Sequence, residues 1–319
     1  MKKIIVQIPA YNEEATIARV IKDIPRKINS HKVEVLVIDD GSSDKTSQVS
    51  KSAGAEHGIR NHRNLGLGVA FRKGIEYALK LGADIIVNID ADGQFNPKDI
   101  EHLIKPILEN EADMVTTTRF LNKKPKNMPY IKKWGNRRFT NLVSRITGQK
   151  FTDTQCGFRA YSREAALKLN LFGKFTYTQE AFIDLVEKGV QIKEVPLEVV
   201  YHKERKSNIS GKLSRYGFKS LGIIARATRD TQPMTFFGFP GFVSFILGCL
   251  GGLYAFYFWL TRHVTTPVRM LFNLSVFLVI FGISLAVLGL LADMMKRISS
   301  TQEEILYRLK KDDLKEKIK

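Results

Sequence analysis

Cysteine is nearly missing from this 319-residue sequence, which holds only Cys156 and Cys249. Two thiols so far apart in sequence make neither a disulfide framework nor a metal knuckle. Cys249 lies inside an apolar segment, so a reducing, cytoplasmic setting is expected. Met1-Lys2-Lys3 leads straight into a strand pattern without the apolar stretch and small-residue cleavage site of a signal peptide. The water-soluble part is therefore expected to stay on the side of the membrane where it is made. Internal repeats and low-complexity segments are lacking too, which excludes a repeat array. Acidic residues are scarce, 32 against 50 Lys and Arg, for a formal charge of +18. Such a charge calls for nucleic acid, anionic lipid headgroups or phosphorylated substrates. No basic motif interleaved with aromatics, as in the RNA and DNA modules, is present, so no nucleic-acid partner is expected.

Charge itself is lacking over residues 236–260 and 270–292. Each run exceeds the ~20 residues that cross a bilayer, and only Arg262, His263 and Arg269 interrupt the connection. The pair reads as a transmembrane hairpin in a cell membrane. Lys203, Arg205, Lys206, Lys212, Arg215, Lys219, Arg226 and Arg229 precede it, and Lys296-Arg297 follow it. By the excess of basic residues on that side, both termini and the soluble domain are expected to face the cytoplasm. The domain boundaries expected are 1–212 for the soluble domain, 213–233 for a basic interfacial segment, 234–295 for the hairpin and 296–319 for a charged tail. That tail reads as an amphipathic helix with Ile305, Leu306 and Leu309 on one face. It is free to lie on the membrane, to pair in a homo-oligomer or to stay solvated.

Strands and helices alternate through the soluble part, which implies an α/β fold with a doubly wound, mainly parallel sheet. Residues 13–27, 44–53, 69–81, 97–110 and 134–146 have helical patterns, and Met114 to Thr118 reads as a strand ending at Arg119. Residues 121–129, rich in Lys, Asn and Pro, read as a loop. Gly66-Leu67-Gly68-Val69-Ala70-Phe71 mimics a dinucleotide fingerprint, but it ends in Phe and follows no strand.

Three acidic clusters follow apolar strands. Ile4 to Ile8 runs into Pro9-Ala10-Tyr11-Asn12-Glu13-Glu14, Val33 to Ile38 into Asp39-Asp40-Gly41-Ser42-Ser43-Asp44, and Ile85 to Ile89 into Asp90-Ala91-Asp92. In open α/β sheets the carboxyl edge binds ligands. Two carboxylates at a strand's exit suit a divalent cation bound to a diphosphate.

Those three clusters, with Asn64-x-Gly66, Gln94 and Gln155-Cys156-Gly157-Phe158-Arg159, resemble the family 2 glycosyltransferases. Within that family the chain is similar to the dolichol-phosphate mannosyltransferases and polyprenyl-phosphate glycosyltransferases. The likeness runs in order across the first two-thirds of the chain, and the hairpin resembles that of the membrane-anchored members. It implies a GT-A (Rossmann-like) catalytic domain followed by a transmembrane hairpin. The activity implied is inverting transfer of a sugar from GDP-mannose or a UDP-hexose to a polyprenyl or dolichyl phosphate in the lipid bilayer. Pro9, Tyr11, Glu13, Ile38 and Asp40 would then line the nucleoside pocket. Asp90, Ala91 and Asp92 would bind the nucleotide-sugar, and Asp90, Asp92 and Gln94 would surround Mg²⁺ or Mn²⁺.

A lipid phosphate is already largely ionised near neutral pH. The site therefore needs cations to hold two phosphorylated substrates more than it needs a base. Arg119 is the first choice, followed by Arg137, Arg138 and Arg159, since the guanidinium fork suits phosphate. The resemblance adds Arg205 and Lys212 as a loop over the diphosphate, and Glu180 as an acidic residue near the site. A polysaccharide synthase of the same superfamily would need more spans and a Gln-x-x-Arg-Trp motif, absent around Trp134 and Trp259. A non-catalytic membrane scaffold is disfavoured by the intact Asp90, Asp92 and Arg119.

Overall fold

Strands β1 (Lys3–Ala10), β3 (His31–Asp39) and β5 (Ile85–Asn88) are almost wholly buried, because helices cover both faces of the sheet they form. The computed structural model describes residues 1–121, 128, 130–171, 177–199, 222, 225, 228–229 and 232–316. β1 pairs in parallel with β3, Ile4 opposite Val33, and with β5, Ile4 opposite Ile85. β4 (His57–Arg60) extends β3 in parallel, and the short β2 (Lys27–Ile28) caps the edge in antiparallel register. Near the start of β3, Glu34 takes ion pairs from Lys3 and Lys32 and a hydrogen bond from His57. Burial would raise its pKa, but these hydrogen bonds outweigh that and bring it down to about 2.

The other half of the sheet departs from a purely parallel pattern. β7 (Arg159–Ser162) is inserted antiparallel between β5 and β6 (Met114–Thr118), and β8 (Ile192–Pro196) returns parallel to β6. The order is β2-β3-β1-β5-β7-β6-β8, with β4 beside β3. Because β7 runs backwards, its amino end lies at the carboxyl edge of β5 and β6. The segment Gln155 to Phe158 is thus brought beside the strand exits that carry Asp90 and Arg119. The sheet is mixed rather than purely parallel.

Helices α1 (Ile17–Asp23), α2 (Thr46–Ser52), α3 (Leu67–Lys80), α4 (Ile100–Leu108), α5 (Tyr130–Thr147), α6 (Arg163–Lys168) and α7 (Thr178–Glu187) flank the sheet. One core joins α1 and α4 to the even-numbered residues of β1, Ile4, Val6 and Ile8. α3 covers β1 and β3, and Phe71 on it stacks flat on Tyr177 at 3.8 Å between ring centroids.

The chain divides into two compact units, Met1–Leu213 with Ile305–Lys319, and Ser214–Glu304. In the second unit a π-helical turn (Met234–Gly238) leads into α8 (Phe239–Arg262), and α9 (Arg269–Glu316) begins after a left-handed His263. Two helical stretches, Met234–Arg262 and Thr266–Leu314, are long and apolar enough to cross a membrane, and only 17% of each apolar window is buried. Buried core helices would be covered far more. The two approach closely through small residues: a Cβ on Gly241 would stand 2.9 Å from the Gly282 carbonyl, and one on Gly248 2.8 Å from that of Ser275. The Ser244 hydroxyl donates to the Leu278 carbonyl at 3.0 Å.

α9 continues without a break past the apolar stretch, and its last turns belong to the first unit. There the Tyr307 hydroxyl donates to Glu164 at 2.5 Å, Lys311 reaches the same carboxylate at 3.2 Å, and Leu314 is buried. A groove of about 210 Å³ beside Leu314 is lined by Ile75 and Leu79 of α3 and by Ala166 and Leu167 of α6. The docked face is thus not the one its apolar residues suggest: Ile305 and Leu309 stay exposed.

Candidate active site

The exits of β1 and β3 are laced together by short polar side chains. Ser42 Oγ accepts from Asn12 N, Thr46 Oγ1 from Glu13 N and Asp44 from Glu14 N, while Asn12 Oδ1 and Glu14 accept from Ser43 N and Lys45 N. The two acidic clusters thereby form one rim with Tyr11 exposed on it. Asp39 ties the β3 exit by accepting from Ser42 N at 2.8 Å and from the Ser47 hydroxyl. Asp40 holds the next loop: it accepts from Asn61 Nδ2 and Gly66 N at 2.8 Å and from Leu65 N at 3.0 Å. Gly41 makes this possible, since at φ +76° any Cβ would strike the Arg63 backbone at 2.5 Å.

Burial sorts the residues expected around the nucleoside. Tyr11 and Glu13 reach the surface, whereas Pro9 is buried and Ile38 is fully enclosed. The Ile38 side chain packs toward Gly74 of α3, so what Ile38 can offer a pocket is its backbone.

At the end of β5, Ile89 and Ala91 point into the core and Asp90 and Asp92 toward the edge. The Asp92 carboxylate accepts from Gln94 N at 3.1 Å. Burial, together with the neighbouring charges of Asp92 and Glu13, outweighs Arg159 and Arg119 and raises the Asp90 pKa to about 7. A divalent cation would relieve that accumulation of negative charge, so the donor set fits such an ion. Among the described residues no group of three or more His, Cys, Asp or Glu side chains could hold a metal. Asp90 and Asp92, with Gln94 nearby, would leave most of the coordination shell to substrate oxygens and water, the usual arrangement for a hard cation on a diphosphate.

Beneath Asp90 lies a buried polar floor. Gln7 Nε2 donates to Asn88 Oδ1 at 3.0 Å, and Asn88 Nδ2 donates to the Gly157 carbonyl at 2.9 Å and to the Tyr177 hydroxyl at 2.8 Å. Gly157 leaves a gap over this floor. A Cβ there would lie 2.9 Å from Asp90 Oδ2 and 3.2 Å from the Tyr177 hydroxyl. Arg159, expected to meet phosphate, is instead fully buried, and it donates to the carbonyls of Cys156, Thr178 and Thr154. It pins the loop ahead of β7, and with its donors turned inward it is removed from the phosphate-binding set. Burial pushes the Cys156 thiol up to about 12, which leaves it unreactive.

Arg119, just past β6, is gripped by Asp153 through Nε at 2.5 Å and through a terminal nitrogen at 2.9 Å. Burial would raise the Asp153 pKa, but the Arg119 charge outweighs it and holds the carboxyl below its usual range. Asn136 of α5 donates to the same carboxylate at 3.1 Å, and Glu194 of β8 accepts from Thr152 N and Asp153 N at 2.9 Å. Arg137 and Arg138 are exposed, and Arg138 lies over the Trp134 ring at 5.3 Å. Glu180 is half-buried in the first turn of α7. Arg205 and Lys212, and most of the basic segment 213–233, lie outside the described residues.

Asp153, Asn88, Gln7 and Tyr177 escape the sequence reading. Gln7 and Asn88 did carry a signal, as amides inside runs that are otherwise apolar.

Residues 5–169, more than half of the chain, match the model of "Glycosyl transferase family 2". The chain belongs to this family. It is a glycosyltransferase with a GT-A domain, and the acidic strand exits described above fall within the matched stretch. The chain is 38% identical over 223 residues to an uncharacterised protein of Methanocaldococcus jannaschii, covering 69% of this chain and 89% of that one. It is 34% identical over 221 residues to the UDP-N-acetylglucosamine–dolichyl-phosphate N-acetylglucosaminyltransferase of Methanococcus voltae, covering 63% and 86%. Among solved structures it resembles glucosyl-3-phosphoglycerate synthase of Mycobacterium tuberculosis in complex with Mn²⁺, UDP and glucosyl-3-phosphoglycerate. That likeness has a TM-score of 0.55 at 25% identity, over 71% of this chain and 79% of the other.

Proposed function

We propose that this glycosyltransferase moves a sugar from a UDP- or GDP-activated donor to the phosphate of a polyprenyl or dolichyl phosphate, with inversion and with a divalent metal. One observation carries the reading: the Asp90 and Asp92 carboxylates and the Asp153-held Arg119 converge on one sheet edge. A single-face displacement needs charge stabilisation of both phosphorylated partners more than it needs a base. The lipid phosphate oxygen attacks the anomeric carbon, the bond from that carbon to the β-phosphate oxygen breaks, and the nucleoside diphosphate leaves. The incoming phosphate monoester is already mostly dianionic near pH 7, so no protein group has to take a proton.

Bound at Asp90 and Asp92, with Gln94 beside them, Mg²⁺ or Mn²⁺ would neutralise the charge developing on the leaving diphosphate. Arg119 holds phosphate oxygens in an orientation fixed by Asp153. Tyr11, Glu13 and Asp40 border the nucleoside; three of the roughly four lone-pair positions of Asp40 are taken by protein donors, which leaves one for a base. Arg137 and Arg138 stand exposed on α5 for the acceptor phosphate, and Arg205 and Lys212, outside the described residues, are assigned to the diphosphate. The apolar pair α8 and α9 would span the bilayer beside the lipid tail, with both termini cytoplasmic by the basic-residue bias.

The test is release of nucleoside diphosphate by the purified full chain with Mn²⁺, a polyprenyl phosphate and, in turn, UDP-N-acetylglucosamine, UDP-glucose and GDP-mannose. Lipid-dependent release with one donor, lost in Asp92→Ala, is expected. A folded, nucleotide-binding protein that gives no glycolipid with any donor would overturn the acceptor assignment.

A further inference from the structure

Helix α5 has five Lys or Arg residues and no Asp or Glu among its 18 residues. Its two sides differ in what they meet. Asn136, Thr140 and Val143 are buried, and the first two hydrogen-bond toward Asp153 and Thr154. Trp134, Arg137, Arg138, Asn141 and Arg145 are all exposed. Their spacing of three, four, seven and eleven residues from Trp134 puts them on one stripe.

A solvated basic face is ordinary; an exposed indole at its amino end is not. Trp134 is 55% exposed, and the only other tryptophan, Trp259, lies in α8. Indoles favour the headgroup level of a bilayer, and clustered Lys and Arg are drawn to an anionic lipid surface. The stripe combines both and offers nothing that repels a negative surface.

We infer that the outward stripe of α5 is a membrane-docking surface that rests on anionic lipid headgroups, with Trp134 at the interface. The inference takes from the proposed function only that α8 and α9 hold the chain at a bilayer. Headgroup contact and the Asn136 contact to the Arg119–Asp153 pair then lie on opposite sides of one helix.

The full chain carrying Trp259→Phe, which leaves Trp134 as the sole tryptophan, is placed in nanodiscs of neutral lipid or of lipid with a third anionic headgroups. Headgroup spin labels should quench Trp134 at least twofold more in the anionic discs, acrylamide should quench it less there, and labels at mid-chain should have little effect. Asn141→Glu combined with Arg145→Glu should abolish the difference between the discs. Equal acrylamide access and no headgroup quenching in either disc would overturn the inference. So would a Trp134 response to a soluble phosphate ester with none to anionic lipid, which would mark a phosphate subsite. Because no sugar transfer is measured, failure here is distinct from failure of the proposed reaction.

Discussion

Gly157→Ala should disturb the metal site proposed at Asp90 and Asp92 without unfolding the protein. The backbone at this glycine is not in the left-handed region, so space alone decides. An alanine Cβ would sit 2.9 Å from Asp90 Oδ2, 3.2 Å from Oδ1 and 3.2 Å from the Tyr177 hydroxyl, where ordinary contact starts at 3.4 Å. Tyr177 has little freedom to retreat, being stacked on Phe71 and bonded by Asn88. The Asp90 carboxylate must therefore yield by about half an ångström, the difference between those contact distances. Displacements of this order in a catalytic group cost about 10- to 100-fold in rate, or about 1.4–2.7 kcal/mol in the barrier. Overpacking costs about 1–3 kcal/mol of stability, partly offset by the lower entropy of the unfolded alanine chain. Initial rates of glycolipid formation across a Mn²⁺ titration should show a lower kcat and a higher half-saturating Mn²⁺, with a Tm shift of a few degrees. Wild-type rates with unchanged Mn²⁺ dependence would refute the view that the gap at Gly157 sets the position of Asp90.

Asp153→Asn leaves the guanidinium of Arg119 without its buried counter-charge, and breaking such a pair costs about 3 kcal/mol or more; a lowered unfolding midpoint, with a rate loss near that of Arg119→Ala, is expected. Glu34, brought down to about 2 from an ordinary 4.5, binds its proton less readily when folded. Its contribution to stability is full above the unfolded value and fades as pH falls through 4.5 toward 2, so chemical denaturation between pH 6 and 3 should show a steeper loss than Glu34→Gln does. Leu314→Ala removes a buried contact to α3 and α6 and should cost about 2 kcal/mol, seen as faster proteolysis within residues 305–316.

Much of the α/β framework is visible in residues such as Ile4 to Ile8, Val33 to Ile38 and Ile85 to Ile89, because strands buried on both faces read as continuous apolar runs. Helix α1 begins at Ile17 rather than at residue 13 because Glu13 N and Glu14 N are bound by Thr46 and Asp44, and residues 13–16 close as a turn. β7 is not visible in the sequence. A four-residue Arg-Ala-Tyr-Ser strand carries too little periodicity, and its antiparallel placement depends on partners 43 and 71 residues away, as Thr116 and Asn88 oppose Arg159. That strand sets the floor of the candidate site, and the cation that its motif offers to phosphate, Arg159, is spent on three carbonyls that only the fold brings around it. Asp153 is silent in the sequence for the converse reason, since its role appears only once Arg119, 34 residues earlier, stands beside it.

The docking of residues 305–316 onto the first unit has a consequence in time as well as in space. The walls that α3 and α6 give the groove are complete once residue 171 has been synthesised, yet the helix that forms its remaining side follows α8 and the whole apolar part of α9. During translation the groove therefore stays open while both apolar helices emerge. Closure by Tyr307, Lys311 and Leu314 comes last, so a chain interrupted within the hairpin carries a finished β-sheet with an unprotected flank. Such a product would be distinguishable to a protease from the full-length enzyme.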